Sequence, residues 1–253
     1  MLSNPARTTS ELRVRLEQMT RRRRLSDAGG APALCSGHAA LDALLPGGGW
    51  PLGALTELLS DQCGIGELEL LLPALQNLAR RGRCLVWIAP PYVPYAPALL
   101  QRGLALERLL WIRTERPQAA LWAAEQALRC PAVGAVLAWS EYIVDRSLRR
   151  LQLAAESGDT FGILHRPAAA AGEPSPAALR LQLQPLGEDL GVEIRKARGA
   201  RAGIHLRLSL RLSPALPAAP PAPAPALASP ATSTLFFASS DALAMHPSAS
   251  TAA

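Results

Sequence analysis

The residues with the clearest chemical implication lie in one short segment: Ser60, Asp61, Gly64, Gly66 and Glu67. They belong to the run LTELLSDQCGIGELEL at positions 55–70, in which a turn containing glycine and aspartate separates two apolar stretches. This order is typical of a phosphate-binding loop, where backbone N–H groups and one lysine hold the phosphates of a nucleotide. The pattern therefore predicts a strand, a loop suited to anions, and a helix.

The loop lacks the cation that phosphate chemistry requires. Its lysine and hydroxyl positions fall on Glu67 and Leu68, or on Gly66 and Glu67 when no gap is introduced. The single lysine of the chain, Lys196, is far downstream. Because a carboxylate at the loop repels polyanions, we expect a nucleotide-binding scaffold with no catalytic residues, no cofactor and no enzymatic activity.

No metal site is predicted from the histidines and cysteines. The four histidines are far apart and have no cysteine or carboxylate at ligand spacing, and the four cysteines include no C-x-x-C pair. Scattered thiols of this kind fit a reducing cytosol better than a disulfide framework. No apolar run reaches the length that spans a membrane. We therefore expect a soluble, cytoplasmic protein without a membrane partner.

The net charge of +6 is carried almost wholly by arginine. Arginine forks suit phosphate and carboxylate groups, so nucleic acid or an acidic protein surface is a candidate partner. A compositional bias toward alanine, arginine and proline explains the same charge without any partner. Arg21, Arg22, Arg23 and Arg24 form the densest basic run. That run is either a DNA contact or the solvated end of a charged helix.

Hydrophobic periodicity divides the chain into three parts. Residues 1–33 are predicted to form a basic helix and a linker, 34–212 a core domain, and 213–253 a disordered tail dominated by proline, alanine and serine. In the core, strands are expected at 55–59, 83–89, 109–112, 132–139 and 161–164. Helices are expected at 67–80, at 117–129 and from residue 145 onward.

The fold class that follows is α/β. Continuous apolar strands alternating with helices are typical of a mostly parallel sheet with helices on both faces. The period then changes: Leu179, Leu181 and Leu183 alternate with polar residues, and the segment 204–210 does the same. Alternation of this kind predicts half-exposed strands in antiparallel hairpins at the end of the core.

The order of these pieces resembles the RecA/RAD51 ATPase core, and more closely its degenerate bacterial relatives, the SulA-like and ImuA families. The stretch CSGHAALDALLPGGGWPLGALTELL resembles the entry to the RecA phosphate loop, and RCLVWIAPP resembles the second core strand. RGLALERLLWIRTERPQAALWAAEQAL and GAVLAWSEYIV match the pieces that follow. The similarity covers residues 34–211 and implies a RecA-like fold.

The departures from this pattern remove the groups that phosphoryl transfer needs. Besides the lost lysine and hydroxyl, Trp139 stands where the resemblance places the metal-positioning acid, with Ser140 beside it. Pro91 stands where it places the glutamate that orients the attacking water.

Three residues are candidate contacts to a partner. Lys196 and Arg198 resemble the basic pair with which one RecA subunit reaches the nucleotide of its neighbour, so a RecA filament end is a candidate partner; a solvated hairpin is the alternative. Trp50, between Gly49 and Pro51, is expected in a loop and open to a partner. The other tryptophans are expected mostly in the core.

The resemblance to the ImuA family implies a non-catalytic adaptor in DNA-damage tolerance. Its implied partners are an ImuB-like inactive Y-family polymerase and an error-prone DNA polymerase of the replicative type, together with RecA and a weak contact to DNA. The alternative implied by the SulA-like resemblance is an inhibitor of cell division that binds FtsZ. The leading region and the later hairpins of the core favour the adaptor, because a compact inhibitor does not need them.

Overall fold

Strands and helices alternate through residues 33–114 and 116–210, the part of the chain that the computed structural model describes. The strands are β1 (Ala33–Leu34), β2 (Trp50–Pro51), β3 (Ala54–Leu59), β4 (Cys84–Ile88), β5 (Leu109–Ile112), β6 (Val133–Trp139), β7 (Phe161–Arg166), β8 (Leu179–Leu186), β9 (Asp189–Ala197) and β10 (Ile204–Leu208). The α-helices are α1 (Ala39–Asp42), α2 (Glu67–Arg80), α3 (Ala96–Gln101), α4 (Pro117–Arg129) and α5 (Asp145–Gly158). The predicted tail 213–253 and the basic run 21–24 lie outside the described residues.

Eight of these strands form one sheet in the order β10-β9-β8-β3-β7-β6-β4-β5. The six strands from β8 to β5 are parallel, and β9 and β10 continue the sheet as antiparallel hairpins. β1 and β2 form a separate antiparallel pair. The predicted fold class, a mostly parallel sheet followed by antiparallel hairpins, is confirmed.

Helices cover both faces of the sheet, as the continuous apolar strands predict. On one face, α2 and the segment that contains α1 enclose a core with Trp87, Leu137 and Ile163. On the other face, α4 and α5 pack over Val86, Val136 and their neighbours. Successive residues of each strand therefore belong to the cores on opposite faces of the sheet. Residues of both faces must be apolar for this reason.

The sequence places α2 and α4 where the structure has them. Leu71, Leu75 and Leu78 of α2 are buried on one face, at helical spacing. Pro117 occupies the first position of α4, where its missing N–H costs no hydrogen bond. Within the described residues, no helix has both the length and the apolar character that crossing a bilayer requires.

The parallel strands bring five connecting segments to the same edge of the sheet, here called the carboxyl edge. These segments are residues 60–66, 89–95, 113–116, 140–144 and 167–178, which follow β3, β4, β5, β6 and β7. Backbone hydrogen bonds join them at their bases: the Ser60 N–H donates to the Arg166 carbonyl and the Ser140 N–H to the His165 carbonyl, both at 3.0 Å. The carboxyl edge is where open α/β sheets place their ligand sites.

Candidate functional site

The loop between β3 and α2 has the backbone of an anion-binding loop. Gly64 and Gly66 have φ values of +77° and +109°, in the left-handed region that side chains other than glycine rarely adopt. Gly66 is the N-cap of α2, and no side chain caps that helix end. The loop amides and the positive end of the helix dipole therefore point toward one place, as anion binding requires.

That place is filled by the carboxylate of Glu67. One of its oxygens, Oε1, accepts a hydrogen bond from the Gly64 N–H at 2.8 Å, and the other, Oε2, accepts one from the Ile65 N–H at 2.9 Å. The protein's own anion thus takes amides that would otherwise hold a phosphate. Phosphate binding would have to displace this carboxylate and overcome its charge.

Ser60 and Asp61 also make hydrogen bonds that stabilise the loop. The Ser60 hydroxyl accepts from the Gln62 N–H at 3.1 Å and donates to the Gln62 carbonyl at 3.0 Å, which closes a tight turn. The Asp61 carboxylate accepts from the Ala168 N–H at 2.8 Å and ties the loop to the segment after β7. All five residues singled out from the sequence are therefore brought together, with Glu67 and Asp61 as internal hydrogen-bond acceptors.

An aromatic stack occupies the place that the resemblance assigns to the metal-positioning acid. The rings of Trp139, at the end of β6, and His165, near the end of β7, stack with centroids 4.6 Å apart and an interplanar angle of 4°. Trp87 packs edge-on against Trp139, with centroids 6.4 Å apart. Burial lowers the pKa of His165 to about 3. The ring is therefore neutral near pH 7, and its stack offers no carboxylate to Mg²⁺.

A buried ion cluster lies beside the loop and was not predicted. Glu57, in the middle of β3, is fully buried. Its Oε2 accepts from Arg180 Nε at 2.5 Å, its Oε1 lies 3.4 Å from Arg166 Nη1, and the Ser175 hydroxyl donates to Oε1 at 2.9 Å. Arg166 also pairs with Glu173 at 2.6 Å. Buried charges of this kind persist only when each is paired and hydrogen-bonded.

Arg180 corrects one detail of the strand prediction. In an alternating, half-exposed β8 it should face solvent, yet it is almost fully buried. Its guanidinium donates to the carbonyls of Ala170, Ala171 and Glu173. The segment after β7 therefore covers this face of β8, and the signal for it in the sequence is an acidic residue, Glu57, inside a strand that is apolar except for Thr56.

Lys196 and Arg198 hold the same segment from its other side. Lys196 Nζ donates to the Ser175 carbonyl at 2.7 Å, and Arg198 Nη2 donates to the Pro176 carbonyl at 3.4 Å. The pKa of Lys196 is lowered, mainly by burial and then by the charges of Arg198 and Arg180. Arg198 is exposed and Lys196 is half-buried, so the guanidinium of Arg198 is the more accessible of the two cations.

The prediction that Trp50 is open to a partner is wrong. Trp50 lies in β2, is fully buried and packs against Phe161, with ring centroids 5.6 Å apart. The pairing of β2 with β1 folds this segment onto the core, which flanking glycine and proline do not reveal. The exposed tryptophan is instead Trp122, on the outer side of α4, with 62% of its surface accessible.

Comparisons with known proteins agree with the fold. The sequence model of the family described as cell division inhibitor SulA matches residues 53–162. Protein ImuA of Caulobacter vibrioides (strain NA1000 / CB15N) is 32% identical over 198 residues, which cover 68% of this chain and 81% of that relative. Cell division inhibitor SulA of Yersinia pestis (strain Pestoides F) is 33% identical over 115 residues, which cover 46% of this chain and 68% of that relative.

One solved structure extends the comparison to the fold. The crystal structure of the RadB recombinase superposes with a TM-score of 0.55 and 16% sequence identity, over 69% of this chain and 94% of that chain. At this identity the likeness concerns the fold alone. The predicted RecA-like arrangement is confirmed.

Proposed function

Because the chain belongs to the ImuA family, we propose that it is a non-catalytic adaptor subunit of a DNA-damage-induced translesion synthesis complex in the cytoplasm. It acts by protein–protein docking on a RecA-like scaffold. Its proposed partners are an ImuB-like inactive Y-family polymerase and an error-prone replicative-type DNA polymerase, with RecA and a weak DNA contact as secondary partners.

The observation that best supports a non-catalytic role is the position of the Glu67 carboxylate. A loop whose Gly64 and Ile65 amides already bind an internal anion has no free place for a triphosphate. The Trp139–His165 stack supports the same conclusion, since magnesium requires hard oxygen ligands and aromatic rings supply none.

A nucleotide titration tests this part directly. The wild-type chain is expected to show neither micromolar binding of ATP with Mg²⁺ nor Mg²⁺-dependent turnover. An ATP analogue bound at residues 60–67 with magnesium held by protein oxygens would contradict the proposal.

Co-purification tests the adaptor role. Tagged full-length chain is expected to retain the ImuB-like subunit and the error-prone polymerase from cells exposed to DNA damage. Deletion of its gene is expected to abolish damage-induced mutagenesis and leave cell filamentation unchanged. Two results would contradict the role: a tagged chain that retains neither polymerase subunit, or a deletion strain in which damage-induced mutagenesis is unchanged.

The contact with RecA is best tested at Arg198, because its side chain is exposed and its hydrogen bond to the segment after β7 is longer, at 3.4 Å, than the 2.7 Å bond of Lys196. Arg198→Glu is expected to weaken recovery of RecA in a pull-down. Arg201→Glu, another exposed arginine in the same turn, is the matched control. Unchanged recovery with Arg198→Glu would remove RecA from the partner set.

The second candidate is a cell division inhibitor that binds FtsZ, and the match of residues 53–162 to the SulA family favours it. The region outside that match favours the adaptor: residues 33–52 and β8 to β10 contribute Trp50, Leu181 and Ile194 to the core. Filamentation on overproduction, combined with normal mutagenesis in the deletion strain, would select the inhibitor instead.

A further inference from the structure

Every tyrosine of the chain is exposed, and all of them lie at the carboxyl edge of the sheet. Tyr92, Tyr95 and Tyr142 are each more than 70% accessible. The first two lie in the segment after β4 and the third in the segment after β6, and these strands are neighbours in the sheet. Val93 and Val144 are exposed beside them. We call this surface, formed by Tyr92, Val93, Tyr95, Tyr142 and Val144, the tyrosine edge.

Exposed apolar side chains gathered in one place mark an interaction surface more often than scattered ones do. Tyrosine is among the residues enriched in protein interfaces, since it buries a large rigid area with little loss of entropy. The tyrosine-bearing segment after β4 also contains Pro90, Pro91 and Pro94. These restrict its backbone before any partner arrives, which reduces the entropy lost on binding.

The surroundings of the tyrosine edge are acidic, although the whole chain is basic. Residues 60–67, 89–97, 140–145 and 167–175 contain no lysine or arginine. Together they contain five carboxylates: Asp61, Glu67, Glu141, Asp145 and Glu173. Arg149 and Arg166 pair with two of these from neighbouring elements, and Arg113 and Arg116 bound the surface on the side of β5.

A hollow beside Tyr142 is lined by both apolar and acidic residues. It encloses about 330 Å³, and its apolar lining includes Tyr142, Val144, Leu148 and Pro174. The carboxylates of Asp145 and Glu173 belong to the residues that line it. An arginine or lysine side chain fits such a place, because its apolar stem packs on the lining and its charge reaches a carboxylate.

We propose that the tyrosine edge is a docking surface for a partner protein that presents arginine or lysine together with apolar side chains. The inference rests on the proposed function, since an adaptor requires such a surface, and names where it lies and what it recognises. Cations of the partner can also stack on the exposed tyrosine rings.

A peptide titration tests the surface without any assumption about the natural partner. Three labelled ligands are titrated separately against the full chain. The first is a peptide that alternates leucine with arginine, the second is a peptide that alternates leucine with glutamate, and the third is an oligothymidine. The arginine peptide is expected to bind. Its affinity is expected to fall about tenfold or more in Tyr92→Ser/Tyr95→Ser/Tyr142→Ser, as for truncated aromatic hot spots, and by a smaller factor in Glu141→Lys.

The matched control is Trp122→Ser/Leu153→Ser, which removes exposed apolar side chains from α4 and α5 and should leave the affinity unchanged. Circular dichroism and thermal unfolding establish that every variant folds. Equal binding by the wild type and the tyrosine variant overturns the proposal, as does tyrosine-dependent binding of the glutamate peptide or of the oligonucleotide. Sedimentation that shows a dimer dependent on the tyrosines also overturns it, because the occupant is then a second copy.

Co-purification of the same variants with the ImuB-like subunit separates the two proposals. A wild-type complex that the tyrosine variant loses supports both. Peptide binding that depends on the tyrosines, without any wild-type complex, supports the docking surface and contradicts the adaptor role. A complex that persists in the tyrosine variant, with peptide binding also unchanged, contradicts the docking surface alone.

Discussion

At the scale of single residues, Glu67 determines what the loop after β3 can bind. It is the first residue of α2, and its side chain turns back to the amides of Gly64 and Ile65. A carboxylate in the first turn of a helix interacts favourably with the helix dipole, and here it also accepts hydrogen bonds from two amides that precede the helix. The same interaction that stabilises the loop therefore occupies two of the amides that a phosphate would need.

Replacing Glu67 with glutamine should lower the free energy of unfolding by about 1–2 kcal/mol, because two charge-assisted hydrogen bonds become at most one neutral bond. Urea unfolding measures the change. Glu69→Gln is the matched control: it removes a carboxylate from the same helical turn, where Glu69 makes only a half-exposed ion pair with Arg102. Equal stability of the two variants would contradict the role given to Glu67.

Removing the carboxylate should also expose the loop amides to external anions. Inorganic sulfate is expected to raise the melting temperature of Glu67→Ala more than that of the wild type, since in the wild type the internal carboxylate holds the amides. If sulfate raises both melting temperatures equally, the Gly64 and Ile65 amides are not a latent anion site.

His165 should make the stability depend on pH. Its pKa is about 3 in the folded state, below its ordinary value of 6.5, so the unfolded chain takes up a proton first as the pH falls. The stabilisation is complete above pH 6.5 and decreases toward pH 3, by up to about 1.4 kcal/mol per unit.

His165→Phe keeps a ring against Trp139 and removes the titration. Between pH 7.5 and 5, the wild type should lose up to about 2 kcal/mol more of its free energy of unfolding than this variant does. His205→Gln, on the exposed face of β10, is the control and should behave as the wild type. Parallel pH profiles for the wild type and His165→Phe would show that His165 does not titrate as described.

At the scale of elements, the packing of α4 on α5 depends on Gly158. A Cβ built on this last residue of α5 would lie 1.9 Å from the carbonyl oxygen of Leu128 in α4. Main-chain atoms of a packed helix have little room to move, so Gly158→Ala is expected to cost about 1–3 kcal/mol through overpacking. Gly172→Ala is the control, because nothing lies within 4 Å of its Cβ. Equal unfolding midpoints in urea would contradict this account.

Elements with a local signal are those that the sequence predicts well. α2 and α4 have apolar residues at helical spacing, and α4 begins at a proline, so their bounds follow from the chain alone. The continuous apolar runs of β4 and β6 likewise report burial on both faces. Periodicity is enough wherever an element and its covering layer lie close together in sequence.

Contacts between distant segments are those that the sequence does not reveal. Trp50 is buried because β2 pairs with β1 and packs on Phe161, more than a hundred residues away. Arg180 is buried because the segment after β7 covers β8 and accepts its hydrogen bonds. At the candidate site, the loop and its missing lysine are readable from residues 55–70, whereas the hydrogen bonds of Glu67 need the folded loop.

At the scale of the whole molecule, the departures from a nucleotide site lie at three separate places along the carboxyl edge of the sheet. Glu67 follows the loop after β3, the stack of Trp139 and His165 lies at the ends of β6 and β7, and the segment after β4 contains Pro91 with the exposed Tyr92 and Tyr95. The carboxyl edge that holds ligands in related folds is thus occupied by the protein's own side chains at the ends of β3, β6 and β7, and it exposes tyrosines in the segments after β4 and β6. This distribution is expected of a binding scaffold.

Repair of the loop alone should therefore not restore catalysis. Glu67→Lys/Leu68→Ser supplies the cation and hydroxyl of a phosphate loop, and it removes the carboxylate that occupies Gly64 and Ile65. Phosphate or ATP is expected to bind this variant more tightly than the wild type, because charge repulsion becomes attraction. Turnover should stay at the wild-type level, since Trp139 and His165 still offer no oxygen to Mg²⁺. Calorimetry measures the binding, and phosphate release measures the turnover. The control is Glu69→Lys, which changes the charge by the same amount and leaves the Glu67 carboxylate on the loop amides. Mg²⁺-dependent hydrolysis by the double variant would mean that the metal position is intact and that the loop alone separates this scaffold from an ATPase.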